Sequence, residues 1–176
     1  MTDVDALVRQ LTLDEKVVLL AGEDVWSTVA IARLGIPKVK VTDGPSGARG
    51  AQLPGGSQLT SLCIPCGSAL GATWNPELIE RIGVAVGEDA RTKTSRVLLA
   101  PTVNMHRSPL AGRNFECYSE DPLLAGRAAA AFVRGVQSQG VATTVKHFVA
   151  NDAETERYTT NSVVDERALR EIYLVP

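Results

Sequence analysis

Residues 141–147 read VATTVKH, and this stretch decides the fold class of the chain. Five small or β-branched residues in a row are typical of a buried strand, and two ionisable side chains, Lys146 and His147, follow at its end. A similar apolar stretch, RVLLAP at residues 96–101, lies upstream, and a helix pattern separates the two. Strands alternating with helices in this way indicate a parallel sheet with helical crossovers.

The helix between these two strands is predicted by its first residues, Asp121-Pro122, and by Gly140 at its end. A capping side chain followed by proline at the first helical position is a strong helix start. The same chemistry at Asn75-Pro76 predicts another helix upstream. That helix carries Gly83 and Gly87 four residues apart, which predicts close packing against a neighbouring element.

The first part of the chain is less regular. Thr12 and Glu15 are spaced as a capping box, which predicts a helix. Residues 36–42 alternate like a short strand, and residues 43–60, with five Gly and two Pro, are predicted to form a loop. Residues 62–70 are apolar and predict a further strand.

Composition and charge exclude several classes of protein. Hydrophobic residues make up 44% and charged residues 22% of the chain, which is typical of a globular domain and argues against disorder. A formal net charge of −2 indicates no preference for nucleic acid or an anionic membrane. No secretory pattern or membrane-length apolar stretch is present in the sequence. We therefore expect a cytoplasmic protein without nucleic-acid or membrane partners.

The three cysteines are an odd, low number that fits a reducing compartment. Cys63 and Cys66 have the spacing of a redox motif, but they lie in an apolar segment, so we expect both to be buried as small hydrophobic side chains. A zinc site that added Cys117 and His106 would lack a paired second half. We expect no metal and no cofactor, and a thiol- or metal-dependent protein remains only a third hypothesis.

Polar and ionisable side chains concentrate after the predicted strands. Because the loops after parallel strands converge on one face, these side chains predict a site there. Carboxylates that accept and cations that donate suit the neighbouring hydroxyls of a sugar. A phosphate site is disfavoured, because no glycine-rich loop begins a helix here. The residues are Asp43; Asn104, His106, Arg107 and Arg113; and Lys146, His147, Asn151, Asp152, Glu154, Glu156 and Arg157.

Purely structural roles are the alternative for several of these side chains. Asp43 could bond its own backbone in an Asp-Gly-Pro turn. Arg107 and Arg113 could be surface ion-pair partners. Lys146 and His147 are harder to explain in this way, since two adjacent ionisable groups at the end of a buried strand are rare without a function.

The chain resembles glycoside hydrolase family 3, in particular its β-glucosidase branch. The likeness covers nearly the whole chain in the order and spacing of the family. In the β-N-acetylglucosaminidase branch the Lys-His-Phe stretch continues as Pro-Gly, whereas Val149-Ala150-Asn151 follow here, which favours the glucosidase branch. The stretches that carry the resemblance are 41–50, 100–104 with 107–109, 112–116 with 118–122, 146–151 through 156–157, and 165–174.

The resemblance implies an α/β fold, the first half of a (β/α)₈ TIM-like barrel that is incomplete, with residues 1–176 as the N-terminal part of the barrel domain. It also implies six substrate-binding residues. These are Asp43 for the sugar hydroxyls at positions 4 and 6, Arg113 and Lys146 for positions 3 and 4, His147 for position 2 or 3, Arg157 beside the nucleophile, and Arg107 near the site.

The resemblance further implies retaining hydrolysis of a β-glucoside, which requires two carboxyl groups. In the family the nucleophile is an Asp in a Ser-Asp-Trp-like stretch after the Lys-His pair, and the acid/base Glu comes from a second domain. Neither is recognised here, since Trp26 and Trp74 both lie earlier. A full barrel takes roughly 250 residues. We therefore expect a truncated, marginally stable chain that is inactive without the remainder of the enzyme; a non-catalytic carbohydrate-binding or regulatory remnant is the alternative.

Overall fold

The computed structural model describes residues 3–50 and 59–176, which fall into two compact units, Met1–Val41 and Thr42–Pro176. Part of the predicted 43–60 loop, residues 51–58, lies outside the described residues. The first unit contains α1 (Val4–Gln10), α2 (Leu13–Leu20), β1 (Gly22–Asp24), β2 (Ser27–Thr28) and a 3₁₀ turn (Ala32–Leu34).

The predicted capping box at the start of α2 is confirmed. The Thr12 hydroxyl accepts the Glu15 backbone N–H at 3.2 Å, and the Glu15 carboxylate accepts the Thr12 N–H at 2.9 Å. The strand predicted at residues 36–42 is regular only at its end, where β3 (Val41–Asp43) begins. The residues before it form isolated bridges, which pair Ile36 with Ile31 and Lys40 with Ser27.

The second unit has a three-stranded sheet with helices between its strands. Its strand order is β3-β4-β5, and β4 and β5 are parallel, with Val97 opposite Ala142 and Leu98 opposite Thr143. The predicted parallel crossover and the α/β class are therefore confirmed. The elements are α3 (Gly67–Gly71), α4 (Pro76–Thr92), β4 (Val97–Leu99), a 3₁₀ turn (Asn114–Glu116), α5 (Pro122–Ser138), β5 (Ala142–Thr143), α6 (Glu166–Ala168) and a π-helical turn (Leu169–Tyr173).

The strand predicted at residues 62–70 was wrong, because this segment ends in the short helix α3. Two glycines explain why a helix packs there. A Cβ on Gly67 would lie 2.3 Å from the Glu116 carbonyl oxygen, and one on Gly71 would lie 2.2 Å from that of Tyr118. The apolar composition therefore reflects a helix held against backbone and not a strand.

The prediction for the two cysteines of this segment was also wrong. Cys63 is exposed and Cys66 is half-buried, so the prediction that both are buried was wrong. The segment before α3 runs without regular structure, and side chains there are free to reach the surface. Within residues 3–50 and 59–176, no group of three or more His, Cys, Asp or Glu side chains is arranged to hold a metal ion. No helix in this described part is long and apolar enough to cross a membrane.

Helices α4 and α5 pack closely, as the spacing of Gly83 and Gly87 predicted. A Cβ on Gly83 would lie 2.5 Å from the Phe132 carbonyl oxygen, and one on Gly135 would lie 2.1 Å from that of Glu80. Only glycine permits such backbone contact at these positions. The two helices and β4 enclose a core whose largest buried side chains include Phe132, Leu70, Leu98, Met105, Val86 and Val136.

Candidate functional site

Asp43, the last residue of β3, and Lys146, just past β5, lie side by side although they are far apart in sequence. The Lys146 backbone continues the parallel register past β5, since its N–H donates to the Pro101 carbonyl at 3.0 Å and its carbonyl accepts the Val103 N–H at 2.7 Å. The Lys146 ammonium then lies 2.6 Å from the Asp43 carboxylate, across 103 residues of sequence. Both side chains are partly exposed, at 15% and 35%. The predicted convergence of strand ends is therefore confirmed for this pair.

The loop after β3 holds the Asp43 backbone in place. The Asp43 carbonyl accepts the Arg49 N–H at 2.8 Å, and the buried Thr42 hydroxyl accepts the Gly50 N–H at 2.7 Å. Asp89, from α4, accepts the Ala48 N–H at 3.1 Å. The turn is thus maintained by backbone and neighbouring side chains, and the Asp43 carboxylate pairs with Lys146.

Arg113 and His147 form the second pair of predicted residues that the structure brings into contact. Arg113 Nη2 lies 3.3 Å from His147 Nε2. The rest of the guanidinium is held by carboxylates: Nε pairs with the buried Glu116, and Nη1 lies 3.3 Å from Glu154. Glu116 also accepts the Thr102 hydroxyl at 2.9 Å. Arg113 is therefore oriented by its neighbours before any ligand binds.

Burial lowers the pKa of His147, and the positive charges of Arg113 and Lys146 lower it further. The carboxylates of Glu116 and Glu154 act in the opposite direction but do not reverse the shift. The imidazole is consequently neutral at pH 7, with one nitrogen able to accept a hydrogen bond.

Arg157 joins the same group through a shared carboxylate. Its Nη1 donates to Glu154 at 2.9 Å, and the other oxygen of Glu154 accepts from Arg113. Nη2 of Arg157 donates to the Tyr158 hydroxyl at 2.9 Å, and the guanidinium lies 4.9 Å from the centre of that ring. Glu154 therefore links the two arginines, and Arg157 remains about two-fifths exposed, at 42%.

Arg107 stands apart from the other predicted residues. It is exposed, and its guanidinium lies 5.8 Å from the centre of the Tyr173 ring. It shares with Glu154 the wall of an open cavity of about 220 Å³, which Asp152 also lines. The structure thus places Arg107 beside the group that contains Arg113 and Arg157, and not within it.

Three residues that the sequence did not single out as ligand-binding organise this group. Glu116 is 5% exposed and orients Arg113, Glu154 bridges the two arginines, and Asn104 contacts His147. Asn104 and Glu154 were visible as polar residues after predicted strands. Glu116 was not, because an acidic side chain in a predicted polar loop gives no sign that it will be buried.

The arrangement presents donors and acceptors side by side on one surface of the second unit. Lys146 and Arg113 can only donate, the Asp43 carboxylate can only accept, and the neutral imidazole does one at each nitrogen. Such a mixture matches adjacent hydroxyl groups, which both donate and accept, better than it matches an anion or an apolar ligand.

Known proteins of one family are similar to this chain. The sequence model of the Glycosyl hydrolase family 3 N terminal domain matches residues 16–176. The chain is 63% identical over 174 residues to a β-glucosidase of Rhizobium radiobacter, covering 98% of this chain and 21% of that protein. It is 51% identical over 173 residues to β-glucosidase B of Emericella nidulans, covering 98% and 20%. The chain thus spans about a fifth of the length of these relatives.

Solved structures of β-glucosidases are similar to this chain as well. The chain matches the β-glucosidase from Kluyveromyces marxianus in complex with glucose at a TM-score of 0.92 and 49% identity, covering 98% of this chain and 20% of that one. β-Glucosidase 3B from Thermotoga neapolitana in complex with glucose matches at a TM-score of 0.90 and 44% identity, covering 98% and 27%.

Proposed function

The chain belongs to glycosyl hydrolase family 3, and from this membership we propose that it supplies the sugar-binding side of a β-glucosidase active site. The N-terminal domain of this family is a TIM-like barrel, so the predicted first part of an incomplete barrel is confirmed. The relatives that support the proposal are named β-glucosidases, and two of the similar structures hold glucose.

The ion pair between Asp43 and Lys146 is the observation that carries the proposal. A carboxylate and an ammonium at the ends of two strands of one sheet can bind two neighbouring hydroxyls, one by accepting and the other by donating. We assign Asp43 to the hydroxyls at positions 4 and 6 of the sugar. Arg113 and Lys146 donate to positions 3 and 4, and His147 contacts position 2 or 3.

The chemistry in this proposal is retaining hydrolysis of a β-glucoside, with the two catalytic carboxyl groups contributed by a part of the enzyme other than residues 1–176. Asp43, Glu116 and Glu154 each already pair with a cation, which suits binding and orientation. Arg157 would lie beside the nucleophile, where its charge favours the ionised carboxylate. The remainder of the enzyme is therefore the partner that this chain requires.

A chimera tests the proposal. Residues 1–176 replace the matching segment of the Rhizobium radiobacter β-glucosidase, to which they are 63% identical. We expect the chimera to hydrolyse an aryl β-glucoside and the chain alone to be inactive. Asp43→Ala and Lys146→Ala should each lower kcat/KM of the chimera by about a hundredfold, since each removes charge-assisted hydrogen bonds to the sugar.

The matched control is Lys38→Ala, an exposed lysine of the first unit that pairs with Glu23 and Asp24 and should leave kcat/KM nearly unchanged. Turnover by the isolated chain, lost in Asp43→Ala, would contradict the assignment of the catalytic groups to another segment. Titration calorimetry of the chain with glucose covers the remaining alternative. Saturable heat from the chain alone would favour a self-sufficient carbohydrate-binding module.

A further inference from the structure

We propose that Asn104 is a positioning residue that holds His147 as the neutral tautomer protonated at Nδ1, so that Nε2 accepts a hydrogen bond at the sugar site. The tautomer follows from hydrogen-bond geometry alone. Its consequence for sugar recognition rests on the proposed function.

The orientation of the Asn104 amide is determined by two backbone groups whose roles cannot change. Its Oδ1 lies 3.1 Å from the His147 backbone nitrogen, which can only donate. Its Nδ2 lies 2.7 Å from the Asn151 carbonyl oxygen, which can only accept. If the amide oxygen and nitrogen were exchanged, Nδ2 would face the His147 N–H, donor against donor. Oδ1 would face the Asn151 carbonyl oxygen, acceptor against acceptor. Asn104 is only 8% exposed, so water has little access to relieve such a clash.

The same Asn104 oxygen then determines which ring nitrogen of His147 carries the proton. His147 Nδ1 lies 2.9 Å from Oδ1. Because an amide oxygen only accepts, Nδ1 must be the N–H. One carbonyl oxygen, with two lone pairs, thus accepts both the backbone and the ring N–H of His147.

The opposite edge of the ring is consistent with this tautomer. His147 Nε2 faces Arg113 Nη2 at 3.3 Å, and a guanidinium can only donate. A proton on Nε2 would point at that N–H. If Nδ1 were protonated as well, the ring would also carry a positive charge near Arg113 and Lys146. The carboxylates of Glu116 and Glu154 favour the doubly protonated ring, but Glu116 pairs with Arg113 and Glu154 with both Arg113 and Arg157.

The chain contains two histidines, and the second provides an internal contrast. His106 Nε2 lies 2.8 Å from the Asn114 carbonyl oxygen and 3.0 Å from that of Cys117. Carbonyl oxygens only accept, so His106 carries its proton on Nε2. The two histidines should therefore carry a proton on different ring nitrogens.

This tautomer has a consequence for the ligand. In this structure Arg113 Nη2 donates to His147 Nε2 at 3.3 Å, and one sugar hydroxyl that enters between them can replace this contact by donating to Nε2 and accepting from Arg113. Only a group that does both can replace the direct contact, so a deoxy sugar at that position gains neither hydrogen bond. Asn104 thereby contributes to selecting a hydroxylated sugar without touching it.

Nitrogen-15 imidazole spectra of the chain at pH 7 test the tautomer without activity or substitution. We expect His147 to have a protonated Nδ1 and a bare Nε2, and His106 to be protonated at Nε2. Asn104→Leu should raise the Nε2-protonated fraction of His147 at least severalfold. Asn104→Asp, whose carboxylate stabilises the charged ring, should raise the His147 pKa by about one pH unit. A neutral His147 ring protonated at Nε2 in the wild-type chain, or an unchanged tautomer in Asn104→Leu, overturns the proposal.

Asn114→Ala is the matched control, since Asn114 lies in the same loop and its side chain donates to the Ser108 carbonyl and not to a histidine. Both tautomers should survive in it. The recognition step is tested in the chimera with β-glucosides deoxygenated at position 2 or 3. We expect the deoxy penalty in kcat/KM to shrink about tenfold in Asn104→Leu. An unchanged penalty with the expected spectra overturns only the sugar-selecting role, while an inactive chimera reflects on the proposed function and leaves the tautomer result standing.

Discussion

Helices α1 and α4 begin with the same chemistry and differ completely in burial. Asp3 caps α1 by accepting the Ala6 N–H at 2.9 Å, and Asn75 caps α4 by accepting the Leu78 N–H at 2.9 Å. Neither α1 nor its neighbour α2 buries a residue, whereas α4 buries five and its partner α5 buries seven. Capping therefore defines where a helix begins, and the stabilisation of that helix depends on what its faces contact.

The chain offers a probe for each region, because Trp26 lies in the first unit and Trp74 in the second. Denaturant unfolding of Trp26→Phe and Trp74→Phe, followed by fluorescence, reports each unit by itself. If both units lost structure in one transition of equal midpoint in every variant, the contrast between them would have no energetic meaning.

The largest expected effect is from Phe132→Ala at the centre of the α4–α5 pair. Phe132 is fully buried, and removing a buried aromatic ring costs about 3–5 kcal/mol in transfer free energy and cavity formation. We expect the transition that Trp74 reports to move to much lower denaturant. Val8→Ala in α1, where the side chain is 46% exposed, is the matched substitution and should change stability by less than about 1 kcal/mol.

Gly135→Ala should have the next largest effect, although it adds only one methyl group. The new Cβ would lie 2.1 Å from the Glu80 carbonyl oxygen, so α4 and α5 must separate, at about 1–3 kcal/mol. Gly112→Ala is the control, because nothing lies within 4 Å of its added Cβ. Equal unfolding free energies for the two variants would show that the helices are not held at backbone contact.

The smallest effect is expected in the first unit, at the exposed ion pair of Glu15 with Arg33. The hydrogen bond from Arg33 and that from the Thr12 N–H hold the pKa of Glu15 at about 2. In Arg33→Ala the pKa should rise toward its ordinary value of 4.5, as a carboxyl NMR titration would measure. Because its folded-state pKa is lowered, Glu15 stabilises the fold above pH 4.5, and this stabilisation is lost as the pH falls toward 2. The free energy of unfolding of the variant should therefore depend less on pH in that window. A Glu15 pKa unchanged by the substitution would contradict this pairing.

Like the helices, the candidate site has features that the local sequence predicts and features that depend on tertiary contacts. Strand ends at Asp43 and Lys146 were predictable, because parallel strands place their C-terminal residues on one edge. The sequence indicated both strands, residues 36–42 by alternation and residues 141–145 by small and β-branched side chains.

The contacts that orient Arg113 and His147 were not predictable. Glu154 and Asn104 act through contacts to side chains 41 and 43 residues away. Glu116 lies only three residues from Arg113, but no local pattern distinguishes a buried Glu from one that solvates a loop.

The failed predictions have a similar cause. Residues 62–70 were apolar enough for a strand, but Gly67 and Gly71 pack α3 against the backbone at Glu116 and Tyr118. Cys63 reaches the surface because the segment before that helix is irregular. The roles of the six predicted substrate-binding residues and the cytoplasmic location stay predictions.

The sequence alone determined the starts of α2, α4 and α5, the parallel α/β order, the family and the strand ends at which the polar residues gather. These properties depend on caps, periodicity and residue order, which act over a few residues or are read directly from the chain. Tertiary structure decided which carboxylate orients Arg113, which nitrogen of His147 carries the proton and which glycines touch backbone. Glu154, Asn104 and the helix backbones that meet at glycine are distant in sequence from the groups they contact, whereas Glu116, three residues from Arg113, owes its burial to the surrounding fold. Hydrogen-bond direction and steric exclusion at such contacts have no local signature.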